Sequence, residues 1–362
     1  MKEWRLLNLS EIPWQRTQSI YHALALMQEE LSTPNTLIIN WPSEPFVCIG
    51  LHQIVDLAIE LDYLKKMNIP FLRRSCGGGS VYLDQDQIFY QIICSEKEYS
   101  MKLEEFYRFF LSPAVKTYQF FKIPARYNPI NDVVANGRKI SGNGAVSFGD
   151  SRVLVGNFIF NFPLKMMSKI LKVPYEKFRD KIAKSLEERM GSFNLFLEEV
   201  PKKDEVIEKY IQLFEKEINI KLIESTLLKE EIEKIEEIEN LYTQKNWKYY
   251  VEKEGNELFQ QKIKSETYFT YIERKFEGGL LQLFIHFEEK KLAEIIISGD
   301  FSIDPPFILH KLEKEMIGLS IDETTLPKSI QQIFNSLKID LAGITSQQFA
   351  SLIIEKYNAL RK

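Results

Sequence analysis

Two basic stretches, each running into glycine, carry the residue types that could bind and activate an anion. The first is Leu72-Arg73-Arg74-Ser75-Cys76-Gly77-Gly78-Gly79-Ser80-Val81-Tyr82. The second is Asn131-Asp132, followed by Gly137-Arg138-Lys139-Ile140-Ser141-Gly142. Glycines lack Cβ, so a ligand can lie against their backbone and φ can be positive. N–H groups freed in such a bend, beside a guanidinium fork, suit phosphate or carboxylate. For the first stretch alone, a glycine-rich turn with solvated arginines would suffice. The second stretch favours an anion site. Lys139 follows a tight turn, and a lysine set on a strand amid flexible backbone is the point charge that a phosphate or adenylate site uses.

The elements that would position these groups are legible in outline. Ile69–Arg74 and Val81–Ile93 read as strands, which places the glycines in a hairpin bend between them. Asn136-Gly137 is a strong two-residue turn signal between Asn131–Val134 and Arg138–Ser141. Val153–Phe162 reads as a further strand, as does Trp4–Leu9. Gln15–Leu31 has the spacing of an amphipathic helix. Thr36–Trp41 and Pro45–Gly50 flank Pro42-Ser43-Glu44 as an expected hairpin, with Trp41 read as core. Leu57–Met67 and Leu103–Phe121 read as helices, the former with Asp56 as N-cap. Pro163–Arg189 reads as helix broken at Pro174. Residues 198–239 mix acidic residues and lysines, the texture of a solvated helical connection. Beyond Asn240 come three alternating runs, Tyr268–Phe276, Leu280–Phe287 and Leu292–Ser298, expected as an antiparallel meander. Helices are expected at Pro305–Gly318, Leu326–Leu337 and Ser346–Leu360.

The totals exclude several classes. With 362 residues, 44% hydrophobic and 27% charged, the chain has room for two domains and a large core. A net charge of −4 makes no electrostatic case for nucleic acid as a partner. No apolar run approaches the ~20 residues of a membrane span, and no leader pattern opens the chain, so the expected location is cytoplasmic. Cys48, Cys76 and Cys94 lack metal or redox spacing, which suits a reducing compartment. There is no GxxxxGK[ST] loop and no GxSxG elbow. Gly142-Asn143-Gly144 is not continued as a dinucleotide fingerprint, and the four histidines are scattered. Cys76, with no histidine nearby in sequence, reads first as packing and only second as a nucleophile.

The paired RR-x-x-GGG and GRK-x-SG motifs, with Asn131-Asp132 and with Gly156 before an apolar strand, resemble the lipoate–protein ligase A family. Arg274-Lys275-Phe276, Gly278-Gly279 and Ser298-Gly299-Asp300-Phe301 resemble the strand pattern of that family's accessory domain. The resemblance implies an α+β fold: a mixed sheet flanked by helices, like that of biotin and lipoate ligases and class II synthetases, with a small C-terminal α+β domain. Expected boundaries are 1–239 for the catalytic domain, with 198–239 as the connection, and 240–362 for the accessory domain. The family's reaction joins lipoate and ATP into lipoyl-adenylate, then passes the acyl group to a lysine of a lipoyl carrier. That carrier is a lipoyl domain of a 2-oxoacid dehydrogenase or an H-protein-like carrier. The resemblance assigns Lys139 to the acyl carbonyl and α-phosphate. It assigns Arg74 to phosphate, Gly77, Gly78 and Gly79 to the passage of acyl chain and phosphates, and Gly79, Ser80, Val81 and Tyr82 to nucleotide. Asn131 and Asp132 fall on the nucleotide side, near Mg²⁺.

The chain also departs from the family. Leu83 and Val155 stand where the family carries histidines, Asn157 where it carries threonine, and Val146 where it is basic or polar. Asp84-Gln85-Asp86-Gln87 replaces Asp-x-Gly-Asn. These departures bear on the acyl substrate and the carrier. Two alternatives follow. One is an ATP-independent octanoyl or lipoyl transferase, which would need a cysteine near Arg126–Asp132 where none exists. The other is a non-catalytic homologue that binds lipoate or a carrier.

Overall fold

The computed structural model describes residues 2–173, 179–251, 262–264 and 267–360. Strand β1 (Lys2–Ile12), helix α1 (Arg16–Met27) and strands β2 (Thr36–Pro42) and β3 (Phe46–Ile49) open the chain. Helices α2 (Val55–Ala58) and α3 (Leu61–Met67) precede β4 (Phe71–Arg73), β5 (Val81–Leu83) and β6 (Gln87–Ser95). After α4 (Leu103–Phe120) come β7 (Ala125–Asn128), β8 (Asp132–Ala135), β9 (Arg138–Ser141), β10 (Gly144–Phe148) and β11 (Ser151–Ile159). Then follow α5 (Leu164–Ile170), α6 (Arg179–Arg189), α7 (Phe193–Phe196), α8 (Lys203–Ile218), β12 (Ile220–Glu224), α9 (Lys229–Thr243) and α10 (Lys245–Lys248).

Two compact units emerge. The first takes residues 1–49, 56–75 and 80–248; the second takes 50–55, 76–79 and 249–362. The first unit is built on a mixed six-stranded sheet, in the order β10-β11-β6-β2-β1-β12. β1 runs parallel to β2 and β12, and the other neighbours are antiparallel. One face buries Trp4, Tyr90, Phe106, Phe110, Tyr118, Phe158, Tyr210 and Phe214 in a single aromatic cluster. Rings in edge or tilted contact at 5–6 Å suit such a core; Tyr90 and Phe158, for example, are 5.2 Å apart. Helices α4 and α8 supply the facing aromatics, because their apolar residues recur at helical spacing. The expected mixed sheet flanked by helices is present.

Several local expectations fail. Val81–Ile93 is not one strand: β5 belongs to a small sheet ordered β4-β3-β5, and β6 belongs to the large sheet. The glycines therefore do not turn a hairpin, since β4 and β5 both pair with β3 and not with each other. For the same reason Thr36–Trp41 and Pro45–Gly50 are not hairpin partners: β2 pairs with β1 and β6. Residues 198–239 are not helix throughout. β12 completes the edge of the large sheet, and the Arg5 guanidinium grips buried Glu231 of α9 at 2.6 and 2.7 Å. Asp56 lies inside α2, and α3 has Glu60 at its N-cap position with no side-chain cap bond. Pro174, the expected helix break, lies outside the described residues. Trp41 is half-buried, packs against the core, and has the Lys203 ammonium 4.8 Å from its ring centroid.

The second unit carries the expected meander. β13 (Lys262–Lys264), β14 (Thr267–Phe276), β15 (Gly279–Glu288) and β16 (Lys291–Gly299) lie in sequence order in one antiparallel sheet. Leu281, Leu283, Ile285 and Phe287 alternate inward along β15, as a half-buried strand requires. They join a core that also takes residues from α11 (Leu309–Met316), α12 (Thr325–Ser336) and α13 (Ser346–Leu360). A short pair, β17 (Ile303–Asp304) and β18 (Asp340–Leu341), completes the unit.

Candidate active site

Lys139 stands on β9, one residue past a two-residue turn. Asn136 and Gly137 have φ of 48° and 80°, the pair of positive values that matches the twist of a tight hairpin. β8 and β9 pair through Ala135–Arg138 and Val134–Lys139, and the register then slips so that Val133 faces Ser141. Successive strand residues face opposite ways: Ile140 is fully buried while Lys139 remains a third exposed. The main chain of Lys139 is also held on its other side, where Gly191 N–H donates to its carbonyl at 2.8 Å. Asp132 begins β8 and forms an ion pair with Lys139, Oδ1 to Nζ 2.6 Å, at an angle outside hydrogen-bonding geometry.

Side-chain amides fix the surrounding loop. Asn131 Nδ2 donates to the Asn143 carbonyl at 2.6 Å, and Asn143 Nδ2 returns a bond to the Asn131 carbonyl at 2.9 Å. The Tyr90 hydroxyl reaches Asn143 Oδ1 at 2.7 Å. Gly156 must lack a side chain, because a Cβ there would meet the Tyr90 ring and Asn143 Oδ1 at 2.3 Å. Asn157 Oδ1 accepts the Gly142 N–H at 2.8 Å, and its Nδ2 donates to Gln87 Oε1 at 2.9 Å. Gln87 Nε2 then donates to the Tyr82 carbonyl at 3.0 Å. Asn157 and Gln87 thus connect the Lys139 loop to the backbone of β5. Sequence reading missed this relay. Its one signal was a pair of amides in otherwise apolar strands.

The two arginines divide by burial. Arg73 is fully buried, and its guanidinium donates to the Trp247 and Lys248 carbonyls at 2.7–3.1 Å. Arg74 is half-buried, its Nη1 3.4 Å from the Cys48 carbonyl. Ser80 is buried and Val81 and Tyr82 are half-buried; Tyr82 N–H points to Met167 Sδ at 3.1 Å. Burial, reinforced by Asp84 and Tyr63, raises the Tyr82 phenol. Among the expected site residues, Arg74, Ser80, Val81, Tyr82, Asn131, Asp132 and Lys139 lie in the first unit, while Gly78 and Gly79 fall with the second.

Within the second unit the glycines meet protein backbone. A Cβ on Gly77 would lie 2.3 Å from the Phe301 carbonyl oxygen, and one on Gly50 would lie 1.8 Å from that of Gly78. Gly78 itself has φ of 93° and donates to the Phe301 carbonyl at 3.3 Å. Leu83 and Val146, expected to depart from the family's polar residues, are buried, and Val155 is half-buried. All three cysteines are buried thiols. Burial pushes those of Cys48 and Cys94 upward, away from nucleophilic thiolate.

This architecture is a known one. Chain-wide, it superposes on P. falciparum LipL1 in complex with lipoate, with a TM-score of 0.70 at 17% identity, covering 97% of this chain and 99% of that one. It also superposes on the ligase of a bi-partite lipoylation system from Thermoplasma acidophilum, with a TM-score of 0.64 at 27% identity, covering 70% of this chain and 99% of that one. The fold is therefore that of lipoate–protein ligases. Residues 19–215 match the family described as lipoyl protein ligase A/B catalytic domain, and the chain belongs to that family. Residues 265–353 match the bacterial lipoate protein ligase C-terminus. Among characterised relatives, lipoate-protein ligase A subunit 1 of T. acidophilum is 28% identical over 68% of this chain and 96% of its own. Lipoate-protein ligase LplJ of Bacillus subtilis is 22% identical over 90% and 93%. The octanoyltransferase LipM of Oceanobacillus iheyensis is 25% identical over 68% and 97%. Among the described residues, no helix is long and apolar enough to cross a membrane.

Proposed function

We propose that this chain is an ATP-dependent lipoate–protein ligase. In the first step a lipoate carboxylate oxygen attacks the α-phosphorus of ATP and pyrophosphate leaves. In the second, the amine of a carrier lysine attacks the acyl carbonyl and AMP leaves. The observation that carries this reading is Lys139, fixed on both backbone edges and backed by a loop whose Gly142 N–H is itself hydrogen-bonded. Its ammonium would stabilise the charge that builds between carbonyl oxygen and α-phosphate in both steps. Arg74 would hold phosphate, and Gly78, Gly79, Ser80, Val81 and Tyr82 would line the acyl and nucleotide path. Asn131 and Asp132 would face the nucleotide. Mg²⁺ enters with ATP as substrate. A Mg²⁺ bound through phosphates needs only one or two protein carboxylates, and Asp132 supplies one. Little covalent chemistry falls to the protein; positioning carries the rate. Residues 1–239 would form the catalytic part and 240–362 the accessory part, and the substrate protein would be a lipoyl domain.

The transferase reading draws on the likeness to LipM. It needs an accessible thiolate, and the three cysteines are buried. Mass spectrometry of a lipoyl domain incubated with lipoate, ATP, Mg²⁺ and the protein tests both. The ligase reading expects one lipoyl mass gain that requires ATP, is lost in Lys139→Ala and survives in Cys76→Ser. Gain from an octanoyl carrier without ATP would establish the transferase instead.

A further inference from the structure

The sheet face opposite the aromatic core holds a polar group that the fold leaves unsatisfied. Strand pairing sets Asn157 of β11, Phe89 of β6 and Asn40 of β2 in one cross-strand row. Asn40 is 0% exposed, and among the described residues neither Nδ2 nor Oδ1 has a hydrogen-bond partner. Gln91, on the same face two residues along β6, is also 0% exposed. Its Nε2 donates to the Thr17 carbonyl at 2.6 Å, and its Oε1 is unpartnered. A buried amide in that condition weakens a fold, so an apolar strand that keeps one gains something else from it.

The row has a direction. At one end Asn157 holds Gly142, whose missing Cβ would sit 3.9 Å from Lys139 Cε. Two strand spacings, about 10 Å, separate Asn157 from Asn40 at the other end. Between them lies the buried ring of Phe89, with Val155 and Ile38 paired to Gln91 on the same face. Helix α1 packs over this face and takes the Gln91 bond at Thr17, so the row is a buried apolar strip beneath α1, with the Asn157-held lysine loop toward one end and an unpaired carboxamide at the other.

We propose that Asn40, backed by Gln91, is the specificity-determining residue for the far end of the acyl chain. It selects carboxylic acids whose distal end carries hydrogen-bonding heteroatoms over plain hydrocarbon acids. The inference rests on the ligase reading. With the carboxylate at the Lys139 end, the chain crosses Phe89 and its tip meets Asn40. Nδ2 can donate to an oxygen, or more weakly to the sulfurs of lipoate. The methyl end of octanoate leaves both amide atoms unpaired.

The test measures kcat/KM for acid-dependent pyrophosphate release with lipoate, ω-hydroxyoctanoate and octanoate. It compares wild type with Asn40→Leu, Asn40→Ala and Gln91→Met, each checked by thermal melt. Wild type is expected to favour the two heteroatom-bearing acids about tenfold over octanoate, the scale of one unpaired buried group. Asn40→Leu is expected to erase or invert that ratio, and Asn40→Ala to erase it if the leucine variant does not fold. A wild-type ratio near one, or a ratio unchanged in the folded Asn40 variants, overturns the proposal while the ligase reading stands. No pyrophosphate release with any acid overturns the ligase reading. In that case the same acids, ranked by melting shift with wild type and Asn40→Ala, decide the Asn40 proposal by the same ratio.

Discussion

Asp132 holds the Lys139 ammonium at 2.6 Å, and each side chain is about a third exposed. A pair this open contributes at most about 1 kcal/mol to stability. Its effect is expected in function, because Asp132 competes with any anion for the lysine. Asp132→Asn is expected to melt within a few degrees of wild type and to change the Mg²⁺ dependence of pyrophosphate release. Lys139→Ala is expected to melt normally and lose at least about a hundredfold in kcat, the scale of one lost oxyanion-type donor. Melting curves beside titrations of Mg²⁺ and ATP check both. Unchanged Mg²⁺ dependence in Asp132→Asn would remove that residue from the nucleotide side.

The adjacent arginines are expected to fail in different ways. Arg73 is buried on the Trp247 and Lys248 carbonyls, so Arg73→Met strands acceptors inside the protein. A loss of about 2–4 kcal/mol is expected in urea unfolding. Arg74→Met is expected to unfold near wild type but to raise the KM for ATP about tenfold or more. Equal effects of the two changes on both readouts would contradict this division.

The amide relay makes a graded prediction. Asn157→Leu leaves the Gly142 N–H without its partner and frees the Lys139 loop. Gln87→Leu removes only the remote link to the Tyr82 carbonyl. The first is expected to lower kcat more than tenfold, beyond the ~1–3 kcal/mol of stability that an orphaned buried donor costs. The second is expected to lower it less. Asn157→Gln, which keeps the amide, is expected to recover part of the loss.

His22 makes the fold acid-sensitive. Burial, and secondarily the charge of Lys234, lowers its pKa from 6.5 to about 3. The ring stacks on Phe148 at 4.3 Å and its Nδ1 lies 3.0 Å from the Tyr242 hydroxyl. Between about pH 6.5 and 3 the unfolded chain binds a proton at this site that the folded chain does not. Stability is therefore unaffected by His22 above about pH 6.5 and falls with acidity below it, by up to ~1.4 kcal/mol per pH unit. Urea unfolding at pH 7 and pH 5 is expected to show a smaller difference in His22→Gln than in wild type.

How much of this was readable from the chain varies with the range of the determining contacts. The Asn136-Gly137 turn was legible because two positive φ values are a local demand. The meander of the second unit was legible because alternation along Leu280–Phe287 is a local pattern. The break after β5 was hidden, since Asp84-Gln85-Asp86 interrupts a β-rich run without proline or glycine. β12 was hidden for another reason: it pairs with β1 more than two hundred residues away, amid charge that reads as helix. Arg73 and Arg74 look equivalent in sequence; only the placement of residues 247 and 248 separates them. Asn40 was invisible, one polar letter in an apolar strand.

The last strand to join the large sheet has a consequence for how the chain is cut and made. The catalytic-family match stops at residue 215, yet β1 gains its outer neighbour only at Ile220–Glu224. A fragment ending at the family boundary would leave the start of β1 as an open edge, a template for joining other chains. During synthesis that edge stays bare until residue 224 has emerged, so the first unit closes late, and truncations intended to isolate it must run past Glu231 to remain monodisperse.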